Sequence, residues 1–151
     1  MRIEIMVYSK SGNTYSVAEK LHKNFFHKGY SSNIYSIDTE STDYLANDVE
    51  SRIEKGDVII FCAPVHGFFL CKEMNCYMDR IKSLKGKKVA CFVTQYFKFP
   101  FLGGTKAIRQ MTSICERKYG EIYWKGVIGW SSKYRESNIN ETVEAITSLN
   151  F

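Results

Sequence analysis

Short apolar segments alternate with segments of helical periodicity along this chain of 151 residues, and this alternation constrains its fold most strongly. Four apolar runs, at 3–8, 58–62, 89–93 and 122–128, are almost uninterrupted, whereas a run at 32–37 alternates polar with apolar residues. Near-continuous apolar strands occur in parallel sheets covered on both faces, and an alternating strand suits a sheet edge. The pattern therefore predicts an α/β fold built on a five-stranded parallel sheet.

Helical patterns follow these runs, at about 14–28, within 39–54, at about 72–84, around 107–115 and around 139–146. Right-handed crossovers turn such an order into a doubly wound sheet between two helical layers, a three-layer α/β/α arrangement. No linker or repeat interrupts the order, so residues 1–151 are expected to form a single domain. Ligands of such sheets bind beyond the carboxyl ends of the strands, so function is expected in loops 9–14, 63–71 and 94–104.

Composition and charge exclude several classes of function. The 21 Lys and Arg residues outnumber the 16 Asp and Glu residues, and the net charge is +5. The basic residues are dispersed, and their densest cluster, 82–88, is interpreted as solvated surface, so no nucleic-acid partner is expected. The longest apolar run, 58–65, is far shorter than the ~20 residues of a membrane span, so no membrane insertion is expected. The opening Met-Arg-Ile-Glu is unlike a secretion signal and the five cysteines are an odd number, which predicts a cytoplasmic protein with reduced thiols.

The first loop, Ser9 to Thr14, lies directly between a predicted strand and a predicted helix. Its hydroxyl groups recur at alternate positions, Gly12 permits close backbone approach, and the helix N-terminus offers free N–H donors, all of which suit an oxyanion. Ordinary helix capping would select the same residue types, but the position after the first strand favours an anion site. Motifs for nucleoside triphosphates, dinucleotides and metals are absent, so a single terminal phosphate is the favoured ligand and no metal is expected.

These residues resemble a known family. The stretch 8–14, Tyr-Ser-Lys-Ser-Gly-Asn-Thr, is similar to the phosphate loop of flavodoxins, which has the pattern Ser/Thr-x-Ser/Thr-Gly-x-Thr. Residues 57–67 resemble the third strand of that family and its following loop, and residues 74–81 resemble its next helix. The resemblance implies a short-chain flavodoxin-like fold with strand order 2-1-3-4-5, and it implies FMN as cofactor with the ribityl phosphate in the first loop.

The second and third loops would surround the flavin ring. The resemblance implies a flexible peptide at Gly67 that responds to the redox state, although Val65 or His66 is an alternative first residue of that peptide. Tyr96 lies where the family has a stacking aromatic residue. Two plainer interpretations remain open: Phe68 and Phe69 begin the core face of the next helix, and the aromatic third loop is a lid on its own core. The predicted cofactor-binding residues are Ser9, Lys10, Ser11, Gly12, Asn13, Thr14, Tyr15, Ala63, Pro64, Val65, His66, Gly67, Thr94, Gln95, Tyr96 and Gly103.

The resemblance implies an electron carrier that shuttles electrons between redox partner proteins and needs no catalytic residue. The alternative is an NAD(P)H-dependent FMN or quinone reductase, because Gly103-Gly104 before a helix also resembles those relatives; small quinones or flavins would then be acceptors. A regulatory or nucleic-acid module is a third class. A monomer or weak homodimer is expected. Unlike familiar flavodoxins this chain is basic, so an acidic docking face is not expected.

The cysteines and histidines carry weaker expectations. Cys62, Cys91 and Cys115 lie on apolar faces and are expected in the core, whereas Cys71 and Cys76 are the more exposed candidates. His66 is the one titratable group near the expected ring and is a candidate proton donor to it. The remaining histidines, His22 and His27, are expected to face solvent.

Overall fold

The computed structural model describes residues 1–37 and 46–151, so part of the weak helical pattern within 39–54 lies outside the described residues. In chain order the elements are β1 (Arg2–Val7), α1 (Asn13–His27), β2 (Ser31–Ser36), α2 (Ala46–Lys55), β3 (Val58–His66), β4 (Phe69–Leu70), α3 (Lys72–Asp79), β5 (Lys88–Gln95), α4 (Gly104–Arg117), β6 (Glu121–Gly129) and α5 (Arg135–Thr147). Every predicted strand and helical pattern corresponds to one of these elements. No helix in the described part of the chain is long and apolar enough to cross a membrane.

The five long strands form one parallel sheet in the order β2-β1-β3-β5-β6. This is the predicted doubly wound order, because the two-residue β4 only adds an antiparallel hairpin to the end of β3. The half-exposed β2 lies at one edge, as its alternating sequence predicts. The order reverses at β1, so the loops after β1 and β3 meet at the switch point where ligands of such sheets bind.

The side chains of the sheet alternate between two apolar cores, one on each face. On β1, Ile5 and Val7 pack in the core that α1 and α5 cover, whereas Met6 packs in the opposite core with residues of α2, α3 and α4. On β3, Ile60 and Phe61 divide in the same way. Strands covered on both faces explain the near-continuous apolar runs, and the three-layer prediction is confirmed.

Two boundaries differ from the prediction. Helix α3 ends at Asp79 rather than near Leu84, although Leu84 remains fully buried. The ammonium group of Lys118 donates to the carbonyl oxygens of Asp79 and Ile81, at 3.2 and 2.5 Å, and these bonds satisfy the end of the helix while the chain leaves it. The apolar spacing thus continues beyond the helix because the irregular segment 80–84 also packs against the core.

The second difference is the hairpin. The segment 63–71 was expected to be a loop, but β3 continues to His66 and pairs with β4 through His66 and Phe69. Gly67 and Phe68 connect the two strands, and both have positive φ, 55° and 70°. Two-residue hairpin turns favour positive φ because their twist then matches that of the strands, but a phenylalanine rarely adopts this conformation, so the sequence did not indicate the turn.

Candidate functional site

The loops after β1, β3 and β5 surround one cleft at the carboxyl edge of the sheet. The cleft has a volume of about 190 Å³ and is lined by Ser11, Asn13, Pro64, Val65, His66, Thr94, Gln95, Tyr96 and Trp130. All of these except Trp130 belong to the predicted set of cofactor-binding residues. The structure therefore brings together residues from three loops that are up to 85 positions apart in the sequence, from Ser11 to Tyr96.

The first loop is shaped by its own hydroxyl groups. The backbone N–H of Gly12 donates to Ser9 Oγ at 3.1 Å, and the backbone N–H of Asn13 lies 3.5 Å from Ser11 Oγ. Each hydroxyl accepts a bond from the loop and keeps its own proton for another acceptor. Gly12 has φ +90°, and a Cβ added there would meet no atom within 4 Å, so the loop turns around open space.

Helix α1 begins in this loop without a side-chain cap on its N-terminus. Gly12 is the N-cap residue and makes no side-chain cap, so the long 3.5 Å contact of Asn13 N with Ser11 Oγ takes the place of one. The first intrahelical bond joins Ser16 N to Gly12 O at 3.0 Å, so the amides of Thr14 and Tyr15 precede the helical ladder. Uncapped amides and the positive end of the helix dipole together favour an anion at this position.

A buried hydroxyl pair connects the first loop to the third. Thr14 Oγ1 and Thr94 Oγ1 are 2.8 Å apart, and both residues are almost fully buried. Thr14 therefore acts in the described structure as a link between α1 and β5, and its backbone amide is the group that remains directed toward the loop.

The second loop is held in place by α4. The backbone N–H of Leu70 donates to Gln110 Oε1 at 2.9 Å, which fixes β4 against the helix. Gly103, the N-cap residue of α4, lies under the hairpin turn: a Cβ added to it would lie 2.8 Å from Phe68 Cα and 3.0 Å from Val65 Cγ1. Because Gly103 has no side chain, the hairpin turn can pack directly on its backbone. Gly103 itself does not line the cleft.

Hydrogen bonds to Gln95, Trp130 and Ser131 hold the backbone of the third loop in place. The side-chain amide of Gln95 donates to the carbonyl oxygens of Phe97 and Phe99, at 2.8 and 2.6 Å. The backbone N–H groups of Trp130 and Ser131 donate to Gln95 O and Tyr96 O, at 2.7 and 3.0 Å. The side-chain N–H groups of Gln95 therefore shape the loop, while its Oε1 is buried and has no hydrogen-bond partner among residues 1–37 and 46–151.

The aromatic side chains of this loop nevertheless face solvent. Tyr96 and Phe101 are 74% and 75% exposed, and Phe97 and Phe99 are about half exposed. Phe97 stacks on Phe68 of the hairpin turn with ring centroids 6.4 Å apart and planes at 4°. The interpretation of the loop as a lid on its own core is therefore wrong, and so is the interpretation of Phe68 and Phe69 as the core face of a helix, because both lie in the hairpin and are about half exposed.

Ionisable groups lie beside the cleft. The ring of Tyr8 packs edge-on against His66 with centroids 6.3 Å apart. Burial, helped by the nearby carboxylate of Glu73, raises the pKa of the Tyr8 hydroxyl above its usual value. Tyr8 therefore stays protonated around neutral pH, and His66 is exposed at the cleft beside it.

The cysteine and histidine expectations are partly corrected. Cys62, Cys91 and Cys115 are buried as expected, but Cys71 is also fully buried and only Cys76 is exposed. Burial raises the pKa of the Cys71 thiol to about 12, since it lies behind the hairpin at the start of α3. His27 faces solvent as expected, whereas His22 is half-buried and its Nδ1 lies 2.7 Å from Ser32 Oγ.

Several predicted residues do not offer their side chains to the cleft. Ala63 is fully buried in the core beneath α3 and α4, and Tyr15 packs against the core beneath α1. Trp130 lines the cleft and also packs against the second core. No group of His, Cys, Asp and Glu that could hold a metal ion occurs among residues 1–37 and 46–151.

Solved structures with this fold include flavodoxins. A flavodoxin of Streptococcus pneumoniae TIGR4 superposes with a TM-score of 0.73 at 15% identity, over 98% of this chain and 99% of that chain. Flavodoxin 2 of Bacillus cereus superposes with a TM-score of 0.73 at 19% identity, over 96% of this chain and 97% of that chain. Both are similar to this chain over nearly their whole length, and the chain therefore has a flavodoxin-like fold.

A larger protein also matches over part of its length. The rubredoxin oxygen:oxidoreductase of Desulfovibrio gigas superposes with a TM-score of 0.75 at 12% identity, over 97% of this chain and 35% of that chain. This chain thus spans about a third of the length of that protein. No protein-family model matches the sequence, and no curated protein matches it.

Proposed function

We propose that this protein binds FMN at the carboxyl edge of its sheet and acts as a cytoplasmic electron carrier between redox partners. The observation that carries the proposal is the uncapped N-terminus of α1, bordered by the hydroxyls of Ser9 and Ser11 and adjacent to a cleft with aromatic walls. A phosphate monoester and a flat ring on one molecule would occupy these two neighbouring places. Five free thiols suit a reducing compartment.

The donor set of the first loop suits the phosphate of FMN. Ser9 and Ser11 supply hydroxyl protons, Thr14 and Tyr15 supply amides, and Lys10 is the one cation within the loop. Neutral donors bind an anion mainly through hydrogen bonds, which avoids a strong charge close to the reactive ring. Bound FMN supplies the redox chemistry, while the residues of this chain bind and orient it.

The walls of the cleft suit a flavin ring. Tyr96 and Trp130 supply aromatic surface, and Pro64 and Val65 supply apolar surface. The volume of about 190 Å³ is smaller than the ~300 Å³ from which pockets usually enclose a whole ligand. Such a cleft holds part of a three-ring system and leaves an edge at the surface, which suits electron exchange with a partner rather than enclosure of a second substrate.

The glycine pair that favoured a reductase has a packing explanation. A Cβ on Gly104 would overlap Val127 and Gln95, and one on Gly103 would overlap the hairpin turn. The structure around α4 therefore requires both glycines whatever the activity, and the carrier remains the proposed function.

The first experiment tests the cofactor. Stripped protein is titrated with FMN and, separately, with riboflavin, which has the same ring without the phosphate. FMN is expected to bind with at least about tenfold higher affinity, since several charge-assisted hydrogen bonds are lost with the phosphate. Substituting Ser11→Ala should weaken FMN but not riboflavin. Equal affinity for the two ligands would refute the phosphate site.

The second experiment separates carrier from reductase. The FMN-loaded protein is mixed anaerobically with NADH or NADPH and, in a parallel sample, with dithionite. A carrier is expected to be bleached by dithionite and to stay yellow with the nicotinamides. Prompt bleaching by either nicotinamide would assign the protein to the reductases instead.

A further inference from the structure

Six exposed aromatic residues lie in the second and third loops beside the cleft, and we call them the aromatic face: Phe68, Phe69, Tyr96, Phe97, Phe99 and Phe101. Each of these residues is at least 45% exposed, yet the loop backbone beneath them is fixed by Gln95 and by the N–H groups of Trp130 and Ser131. Fixed exposure of six rings is unusual in a protein that works alone, because clustered apolar surface commonly marks an interaction site.

The charges around the aromatic face are mostly positive. Among the described residues, the stretches 8–18, 63–72, 94–108 and 128–135 at this edge contain no Asp or Glu. Residues 38–45, three of which are acidic, lie outside the described residues. The cations in the loops and first turns of this edge are Lys10, Lys72, Lys98, Lys106, Lys133 and Arg135.

Two described acids lie in first turns at this edge, Glu73 on α3 and Glu136 on α5, so its charge is mostly rather than wholly positive. Glu136 lies 3.2 Å from the ammonium group of Lys20 and also beside Arg135. One carboxylate oxygen of Glu73 is buried behind the hairpin. The ammonium groups of Lys98 and Lys106 lie over Phe99 and Phe69, at 5.0 and 4.2 Å from the ring centroids, so charge and apolar surface are interleaved on the aromatic face.

We propose that the aromatic face is the docking surface for an acidic electron-transfer protein. This inference rests on the proposed function, because a partner seated here would cover the mouth of the FMN cleft and bring its redox centre close to the ring. Carboxylates of the partner would pair with Lys98 and Lys106, while the phenylalanine rings supply the apolar centre of the interface. In such contacts buried rings provide most of the affinity, and charges provide the association rate and the choice of partner.

The arrangement of the rings favours a protein over an anionic membrane. Phe99 and Phe101 stack with centroids 5.4 Å apart, and Phe68 stacks on Phe97, so the rings lie against one another as a surface. A membrane anchor needs apolar side chains free to enter the acyl region beneath a basic rim. Here the rings are paired on a fixed loop, which suits a shaped partner.

The test measures binding of the FMN-loaded protein to an acidic plant-type ferredoxin by calorimetry at about 20 mM and about 200 mM salt, between which the screening of surface charges increases strongly. Binding is expected at low salt and should weaken at least about tenfold at the higher concentration. Lys98→Glu and Lys106→Glu should each weaken binding several-fold. The matched control is Lys85→Glu, an exposed lysine just before β5 at the opposite end of the sheet, which should leave binding unchanged.

A second pair of variants tests the rings without risk to the fold. Phe101→Ala should weaken binding several-fold, whereas Phe26→Ala on α1 should not, although the two rings are equally exposed at 75% and 72%. Because both side chains are mostly in solvent, circular dichroism and FMN affinity should remain unchanged in both variants.

Three results would overturn the docking surface. The first is tighter binding to a basic cytochrome c than to the ferredoxin. The second is ferredoxin binding that Lys98→Glu and Phe101→Ala leave unchanged. The third is co-sedimentation with anionic phospholipid vesicles without ferredoxin binding. The last would assign the face to a membrane. Ferredoxin binding is also measured with the stripped protein: if FMN fails to bind but salt-sensitive docking persists, the proposed function falls and the docking surface stands.

Discussion

Gly103→Ala is the substitution for which the structure predicts the clearest consequence. Gly103 has φ +111° and ψ −35°, a conformation open to glycine and strained for any other residue. An added Cβ would lie 2.8 Å from Phe68 Cα, where carbon atoms normally keep about 3.5 Å or more. Since Phe68 belongs to the hairpin turn, its backbone cannot rotate away, and the turn must shift by roughly 1 Å.

The magnitude follows from two separable contributions. A side chain at positive φ reduces the free energy of unfolding by about 1–2 kcal/mol. Overpacking against fixed backbone adds about 1–3 kcal/mol. Gly86 provides the matched control, because it has φ +80° but no atom within 4 Å of an added Cβ. Gly86→Ala is therefore expected to lose only the first contribution, and Gly103→Ala both.

The assay is urea unfolding of the two variants and the parent protein, followed by titration with FMN. Gly103→Ala should be at least about 1 kcal/mol less stable than Gly86→Ala and should bind FMN more weakly, because the second loop moves. Equal losses of stability with equal FMN affinity would refute the close approach of Gly103 to the hairpin turn.

Four further predictions concern the same molecule. Thr14→Val or Thr94→Val alone should lower the free energy of unfolding by about 1–3 kcal/mol, because each leaves the other buried hydroxyl without its hydrogen-bond partner. The double variant should lose less than the sum of the two single losses. Strictly additive losses in denaturant titrations would refute the hydrogen bond between the two residues. One thiol, Cys76, should react with a disulfide reagent at pH 8 before unfolding and five after it. Burial raises the pKa of Cys71 in the folded protein to about 12, whereas the thiol of the unfolded chain has a pKa near 9. The free energy of unfolding should therefore keep its full value below about pH 9 and fall as the pH rises toward 12. A constant free energy of unfolding over that range would refute the burial of Cys71. Bound FMN should be less strongly reducing than in acidic flavodoxins, since a positive charge about 10 Å away at an effective dielectric of ~20 contributes roughly 70 mV; a spectroelectrochemical potential as low as theirs would refute this.

The sheet could be predicted from the sequence because its strands are covered on both faces. Ile3 to Val7 and Val58 to Cys62 are apolar at nearly every position, which leaves few alternatives to a buried parallel strand. The strand order then followed from the resemblance in the first loop. Element ends were less predictable, because Leu84 continues the apolar spacing of α3 although Lys118 already terminates that helix.

The sequence predicted which loops form the candidate site, but it predicted less well what each residue does there. Ser11 and Tyr96 could be placed at the cleft because both follow strands that end at the same edge. The hairpin escaped prediction because Phe68 occupies a position that usually belongs to glycine or asparagine. Gln95 was assigned to the cofactor, but its amide binds carbonyl oxygens of its own loop, and no local sequence signal distinguishes these two uses.

Gln95 fixes the main chain of the third loop through hydrogen bonds to backbone carbonyl oxygens, so the course of the loop does not depend on which side chains it carries. Phe97 and Phe99 contribute carbonyl oxygens to that support, and any amino acid carries a carbonyl. Side chains at 96–101 can therefore be exchanged with little effect on the frame that presents them. A few substitutions in this loop can therefore change which partner the protein binds while its core stays the same.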